Sequence, residues 1–293
     1  MKIVFIGAVK FSEKVLSYLV QLNADVVGVC TLENSKFNSD HCDLTDLSMS
    51  NMIKVKYTKN INSEENIEWI KSLDPDIIFC FGWSQLLKKE ILNLAPLGVL
   101  GFHPAALPAN RGRHPLIWAI ILGLEETAST FFFMDDGADS GDILSQRKIQ
   151  IKVDDDALSL YHKMTITALA QIEQFLPKLI SGDFKVMKQD HKISNVWRKR
   201  SASDGKIDWR MSSSSIHSLV RGLAKPYVGA HFNLNDKVIK VWKTEILKNT
   251  DKNIEPGKVL SIDKKGIVVK TGDSAIRLIK IEPALKIIKG NYL

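Results

Sequence analysis

A histidine set directly after an apolar strand, at the mouth of a loop rich in Pro and Gly, can bring its imidazole to a substrate. Residues 101–115, GFHPAALPANRGRHP, have that form around His103. Residues 134–142, MDDGADSGD, place Asp135, Asp136, Asp139 and Asp142 in a second loop that also follows a strand-like run. A carboxylate near an imidazole can fix its tautomer and stabilise its protonated form, which is what general acid–base chemistry requires. Taken one at a time, each has a bland reading: a histidine that caps a strand, and an acidic loop that is solvated. Two further strand ends, Gly7-Ala8-Val9-Lys10-Phe11 and Phe81-Gly82-Trp83-Ser84-Gln85, lead into predicted helices, whose first amides are free to donate. Gly7 stands without a full GxGxxG pattern, which argues against a dinucleotide cofactor there.

These loops need a scaffold that gathers strand ends on one edge, and the hydrophobic pattern supplies it. Residues 2–8, 25–31, 76–81 and 99–102 read as buried strands. Helical spacing is found over residues 11–22, with Val15, Leu16, Leu19 and Leu22 on one face, and again over 62–73 and 84–94. Fully apolar strands alternating with helices predict an α/β, Rossmann-like parallel sheet covered on both sides, with ligands beyond the carboxyl ends of its strands. A helix over 115–122, a strand over 129–134, the segment 143–151 and a long amphipathic helix over 157–180 continue the unit.

After about residue 192 the texture changes. A charged stretch, Trp197-Arg198-Lys199-Arg200, precedes a helix over 216–223, with Ser212–Ser215 as its N-cap region. Strands follow from Val228, separated by turn signals at Asn235-Asp236, 263–266 and Gly272-Asp273. We therefore expect a catalytic domain over 1–190, a linker over 191–203 and a smaller, OB-like β-barrel domain over 204–293.

The chain has 293 residues, 45% of them hydrophobic, enough for a buried core of ordinary size. No apolar run reaches the roughly 20 residues of a membrane span, and nothing resembles a secretory leader, so a cytoplasmic location without a membrane partner is expected. Cys30, Cys42 and Cys80 form no CxxC pair, so neither a disulfide framework nor a metal site is expected. The net charge of +7 is concentrated late: residues 236–293 hold 13 Lys and Arg against 7 Asp and Glu. Spread over several strands and turns, that surplus lacks the clustering of a nucleic-acid site.

The run His103, Leu107-Pro108, Arg111-Gly112, Pro115, Ala119-Ile120, Gly123, Thr127, Met134, Asp139, Gly141 and Ile143-Leu144 resembles the signature of the folate-dependent formyltransferases. These include enzymes acting on methionyl-tRNA, on glycinamide ribonucleotide and on sugar nucleotides. Asp204, Ile207-Asp208-Trp209, Ala224, 226–230, Val241-Trp242, Pro256-Gly257 and Gly272-Asp273 are similar to the smaller domain of the tRNA and sugar enzymes, so the resemblance covers nearly the whole chain. It implies that N10-formyltetrahydrofolate donates its formyl group to an amine through a tetrahedral intermediate. It implies that His103 and Asp139 are catalytic, His103 taking the amine proton and Asp139 orienting it. It places the pterin against Trp83, Ser84, Gln85, Leu86 and Leu87 and the Asp135, Asp136, Gly137 and Ala138 loop, largely through backbone groups. Arg111 and Gly112 are expected to shape their loop. The family uses Asn-x-His, whereas this chain has Gly101 in the first position, and loss of such an oxyanion donor can cost about 2.7–4 kcal/mol. Ser84, Asn110, protonated His103 or a water are the substitutes the sequence offers.

The resemblance implies, for the tRNA enzyme, a basic insertion after the second strand that grips the acceptor stem. Here residues 33–48 hold Glu33, Asp40, Asp43 and Asp46 against Lys36 alone, which would repel a phosphate backbone. The reading favoured is therefore transfer to a nucleotide-linked amino sugar, with Lys10, Phe11, Asn110 and Arg113 as substrate-binding residues and nucleic acid not expected. Gly101 together with 113–118 resembles a subgroup of pseudaminic-acid-type pathways. Methionyl-tRNA formylation is the second reading, and a catalytically weak folate-binding protein the third. The sequence leaves open the sugar, the nucleotide, the role of the second domain and whether the chain forms a homo-oligomer.

Overall fold

The computed structural model describes residues 1–35, 39–248 and 251–293; Lys36 lies outside the described residues. Two compact units account for the chain. One comprises 1–115, 127–149 and 162–197, the other 116–126, 150–161 and 198–293.

In the first unit, β1 (Ile3–Ile6) is buried on both faces because all four of its side chains are apolar. Helix α1 (Lys10–Gln21) follows and buries Phe11, Val15, Leu16 and Leu19, the predicted stripe. Next come β2 (Val26–Thr31), α2 (Thr45–Ser50), β3 (Lys54–Tyr57), α3 (Glu64–Ser72), β4 (Ile77–Cys80), α4 (Lys89–Leu92) and β5 (Val99–His103). The sheet is completed by β7 (Glu126–Phe133) and β8 (Ile143–Gln150), giving the order β3-β2-β1-β4-β5-β7-β8. Between β5 and β7 in sequence lie β6 (Arg111–Gly112) and α5 (Pro115–Ile121), the latter belonging to the second unit from residue 116, and beyond β8 come α6 (Ala157–Ser181), whose residues from 162 belong to the first unit, and β9 (Val196–Trp197). Strands β3, β2, β1, β4 and β5 are parallel; β7 runs antiparallel to β5, with His103 opposite Thr130. The order reverses between β1 and β4, so their carboxyl ends open a crevice, where ligands of such sheets bind.

The sheet departs from the expected elements at two places that matter. Edge strand β3 and helix α2 have no strong apolar pattern and were not anticipated. The helix expected over 84–94 is reduced to the single turn α4. Side chains from the neighbouring loop capture the backbone before it: Asn62 Nδ2 donates to the Leu86 carbonyl (2.9 Å) and Asn62 Oδ1 accepts from the Lys88 N–H (2.8 Å). Gln85 is likewise turned away, accepting from the Ile61 N–H and donating to the Lys59 carbonyl. The 83–88 segment is thus an open loop rather than a helix start.

The second unit holds α7 (Ser213–Gly222), which opens with the expected cap, Ser212 Oγ accepting from the Ser215 N–H at 3.1 Å. Its strands are β10 (Ala230–Leu234), β11 (Lys237–Leu247), β12 (Val259–Asp263), β13 (Gly266–Lys270) and β14 (Ala275–Glu282). They form one antiparallel ladder, β10-β11-β14-β13-β12. Asn235 and Asp236 both have positive φ, the backbone a two-residue hairpin requires, and they join β10 to β11. Ile216, Leu219 and Val220 of α7 share a core with Trp209, Phe232, Val241 and Ile276.

No helix among the described residues is long and apolar enough to cross a membrane. Cys30 and Cys80 are opposite Ile6 from its two sides, both buried, and burial pushes each thiol up to about 12. A thiol needs its thiolate form to react. The native protein at neutral pH should leave both cysteines unlabelled by a soluble thiol reagent until it is denatured; prompt labelling of the folded protein would contradict their placement.

Candidate active site

The candidate site is built at the carboxyl ends of β1, β4 and β5. At the first two, room is set by Gly7 and Gly82. A Cβ on Gly7 would lie 2.6 Å from the Phe81 carbonyl, and one on Gly82 would lie 2.6 Å from Ser12 Oγ. Ser12 Oγ in turn donates to the Phe81 carbonyl at 2.6 Å, tying the start of α1 to the end of β4. Only glycine allows this close approach, and Gly82 also has φ +73°.

His103 closes β5 with its side chain 5% exposed. The Nε2 atom lies 2.8 Å from the Asn110 carbonyl. A carbonyl only accepts, so Nε2 carries the proton and donates it, leaving Nδ1 as the lone-pair nitrogen of the neutral ring. Nδ1 is 3.6 Å from Asp139 Oδ2, within ion-pair reach but longer than a hydrogen bond. A proton arriving at Nδ1 would face that carboxylate. Asp139 is 21% exposed and sits in the left-handed region, φ +55°; its Oδ2 accepts from the Gly112 N–H at 2.9 Å. The structure therefore brings together the imidazole and the carboxylate that the sequence set 36 residues apart.

The loop after His103 is anchored from below. Thr130 Oγ1 donates to the Ala105 carbonyl, and Gln146 Nε2 to the Leu107 carbonyl, at 2.7 and 2.9 Å. Arg113 Nη1 donates to the Ser84 carbonyl at 3.2 Å, which joins this loop to the 83–88 segment. Arg111 is buried, and its Nη2 faces Gln189 Oε1 (2.7 Å) and His191 Nδ1 (3.1 Å). Gln189 was not singled out from sequence. Its Nε2 donates to the carbonyls of Asp139 and Gly141, at 2.9 and 2.7 Å, and a glutamine in a polar run carries no pattern that would have revealed this.

Of the residues expected to line the donor site, Trp83 packs against the core beside Leu87 with its Nε1 buried and unpartnered, while Leu86 is exposed. Asp135 Oδ1 binds its own loop through the Gly137 N–H and Ser140 Oγ. Asp136 pairs with Lys89 at 3.0 Å, linking the 135–138 loop to α4, and Gly137 and Ala138 are exposed.

The four residues expected to hold the acceptor behave differently from one another. Lys10 is exposed, its N–H donating to the Asp40 carbonyl. Phe11 is buried and stacks on Phe102 at 4.3 Å, continuing into Phe131, Phe81 and Phe5. Asn110, with φ +64°, contributes its backbone, holding His103 rather than offering its amide. Arg113 is exposed at the loop edge.

Gly101 explains itself by what surrounds it. A Cβ there would lie 2.8 Å from Met134 Cγ and 3.1 Å from the Phe132 ring. No side chain can reach the site from position 101 while those two residues keep their places.

Comparison with known proteins bears on this arrangement. Residues 1–173 match the Formyl transferase family model, and residues 199–291 match the model of its C-terminal domain. The chain belongs to the formyl transferase family. It is accordingly an enzyme of formyl-group transfer. Methionyl-tRNA formyltransferase of Caldanaerobacter subterraneus subsp. tengcongensis is 32% identical over 287 residues, covering 96% of this chain and 92% of that protein. Among solved structures, WlaRD, a sugar 3N-formyl transferase crystallised with dTDP and 5-N-formyl-THF, superposes with TM-score 0.71 at 18% identity, covering 97% of this chain and 99% of that one. The N-formyltransferase from Helicobacter canadensis, crystallised with folinic acid and dTDP-3-aminofucose, gives 0.72 at 19% identity, with 95% and 99% covered. These two likenesses show a shared fold.

Because Met134 and Phe132 fill the volume beside Gly101, Gly101→Asn should overpack the strand and lower stability by about 1–3 kcal/mol. Denaturant unfolding would show it; an unchanged midpoint would mean that the pocket beside β5 is open.

Proposed function

We propose that the enzyme transfers the formyl group of N10-formyltetrahydrofolate to the amine of a nucleotide-linked amino sugar. The observation that carries the choice of acceptor is the chain that follows β2. In sequence, residues 33–48 hold Glu33, Asp40, Asp43 and Asp46 against the single base Lys36, which lies outside the described residues. This stretch lies across the carboxyl end of β1, through the Lys10 N–H to the Asp40 carbonyl, the Cys42 N–H to the Ala8 carbonyl, and the His41 ring beside the Ala8 carbonyl. The acidic surplus of the segment that crosses that strand end favours a compact acceptor over a polyanion, whose affinity depends on cations that displace counterions. In the second unit, several arginines are already neutralised: Arg198 by Asp204, Arg210 by Asp208, and Arg277 by Glu245 and Asp263. The full-length similarity to methionyl-tRNA formyltransferases supports the second reading, transfer to charged initiator tRNA.

The residues present fit the donor. Trp83 has a buried indole N–H without a partner, and beside it in the sequence Leu86 is exposed, as are residues 136–138 of the other loop expected to meet the pterin. When bound, the donor supplies an activated one-carbon carbonyl. His103, in the tautomer fixed by Asn110, accepts the proton of the attacking amine at Nδ1, and Asp139 stabilises the imidazolium so formed. From there the proton is available to the departing folate nitrogen. Gly101 provides no amide, so charge developing on the carbonyl oxygen must be met by the protonated ring or by groups the acceptor brings in.

The test is to incubate the protein and N10-formyltetrahydrofolate with a panel of amino-sugar nucleotides and with charged initiator tRNA, following products by mass. A formylated sugar nucleotide, with turnover weakly dependent on salt, is expected; formylated tRNA with every sugar untouched would overturn the choice. His103→Asn and Asp139→Ala should each lower kcat by about 10²–10⁴-fold in a folded protein. Near-normal rates in either would reject the roles assigned to them.

A further inference from the structure

Both groups that face the His103 ring stand on strained backbone. Asn110, whose carbonyl receives Nε2–H, has φ +64°, and Asp139, whose carboxylate faces Nδ1, has φ +55°. Non-glycine residues stay in that region when surrounding contacts hold them there. The contacts come, for both, from one short piece of chain far along the sequence. Asn195 Oδ1 accepts from the Asn110 N–H at 2.7 Å. Gln189 Nε2 donates to the Asp139 carbonyl at 2.9 Å and to the Gly141 carbonyl at 2.7 Å, and Gln189 Oε1 accepts from Arg111 at 2.7 Å. Gln189 is 6% exposed, with both amide hydrogens and its oxygen engaged, so removing it would take a donor from two carbonyls and an acceptor from Arg111.

The same segment also aims the carboxylate. Strand β9 pairs in parallel with β6, Val196 opposite Arg111 and Trp197 opposite Gly112. The Arg111 N–H donates to the Asn195 carbonyl and the Arg113 N–H to the Trp197 carbonyl, each at 3.0 Å. That pairing fixes Gly112, whose N–H binds Asp139 Oδ2 and whose missing Cβ would lie 2.4 Å from the Trp197 carbonyl.

We propose that residues 189–197 act as a positioning strap for the acid–base pair, with Gln189 and Asn195 as its two working side chains: Gln189 sets the backbone of Asp139 and Asn195 sets that of Asn110. Neither touches His103 or a reacting atom. The strap fixes the tautomer of the ring and the direction from which Asp139 meets it. The proposal deepens the formyl-transfer reading and rests on it for the kinetic half of its test.

The experiment compares Gln189→Met, Asn195→Ala and Asn195→Asp with wild type. Gln189→Met keeps the bulk but removes the donors and the acceptor. Asn195→Asp keeps an oxygen for the Asn110 N–H, whereas Asn195→Ala does not. Expected are a fall in kcat of about 10–100-fold for Gln189→Met, a smaller fall for Asn195→Ala, rescue by Asn195→Asp, and a donor KM within about twofold throughout. In parallel, the Cε1–H resonance of His103, with histidine labelled by carbon-13, should move in Gln189→Met and Asn195→Ala and stay in place in Asn195→Asp. If Gln189→Met does not fold, the Asn195 pair, at an exposed position, carries the test. Turnover within about twofold of wild type in folded Gln189→Met and Asn195→Ala, or an unmoved His103 resonance, would overturn the strap. A wild-type protein that formylates no amine would instead defeat the reading of function, and the resonance would then judge the strap by itself.

Discussion

The hydrogen bond from His103 Nε2–H to the Asn110 carbonyl is the constraint on which the site depends. It is a bond to a backbone acceptor at a buried position, so it cannot be satisfied by the other tautomer. Fixing one nitrogen as donor leaves the other with the lone pair, and Asp139 is the carboxylate placed against it. The gap of 3.6 Å suits this division of labour. A neutral ring presents a lone pair to a carboxylate and stands off from it; a protonated ring presents N–H and is drawn in. A proton placed on Nδ1 would therefore point at the carboxylate.

Everything else in the first unit can be followed outward from this bond. The apolar strand β5 carries His103 to the sheet edge, Thr130 and Gln146 hold the loop that returns Asn110 to it, and the β6–β9 pairing holds Gly112 under Asp139. The glycines at 7 and 112 are required by close backbone approach, each with a neighbouring carbonyl where a Cβ would stand, and Gly82 by its positive φ. Gly101 differs: side chains, not backbone, fill its space. Met134 and Phe132 close off the strand position from which a side-chain amide could act.

The sequence made the scaffold readable because β1, β2, β4 and β5 are apolar throughout and α1 has a clean helical stripe. It also made His103 and Asp139 readable, since each follows a strand end and the surrounding motif resembles a known family. It could not show Gln189 and Asn195, because their role lies in single hydrogen bonds to backbone groups 48 to 85 residues away. Nor could it show that 83–88 is a loop: the pattern there is helical, and capture of its backbone by Asn62 is a tertiary event. Phe11 is ambiguous in the sequence for another reason. An aromatic residue at a strand-to-helix turn reads equally as ligand contact or core, and its stack on Phe102 is a tertiary contact that the sequence does not show.

The central claim is that neutral His103 keeps its proton on Nε2 and offers Nδ1 to Asp139. Long-range nitrogen-15 to proton correlation of the histidine rings reads this directly, with His103 assigned by its loss in His103→Asn. The account predicts, above the titration of the ring, a donor-type shift at Nε2 and a lone-pair shift at Nδ1, the latter responding when Asp139 is changed to Asn. A ring that instead carries its proton on Nδ1, indifferent to Asp139, would contradict the account.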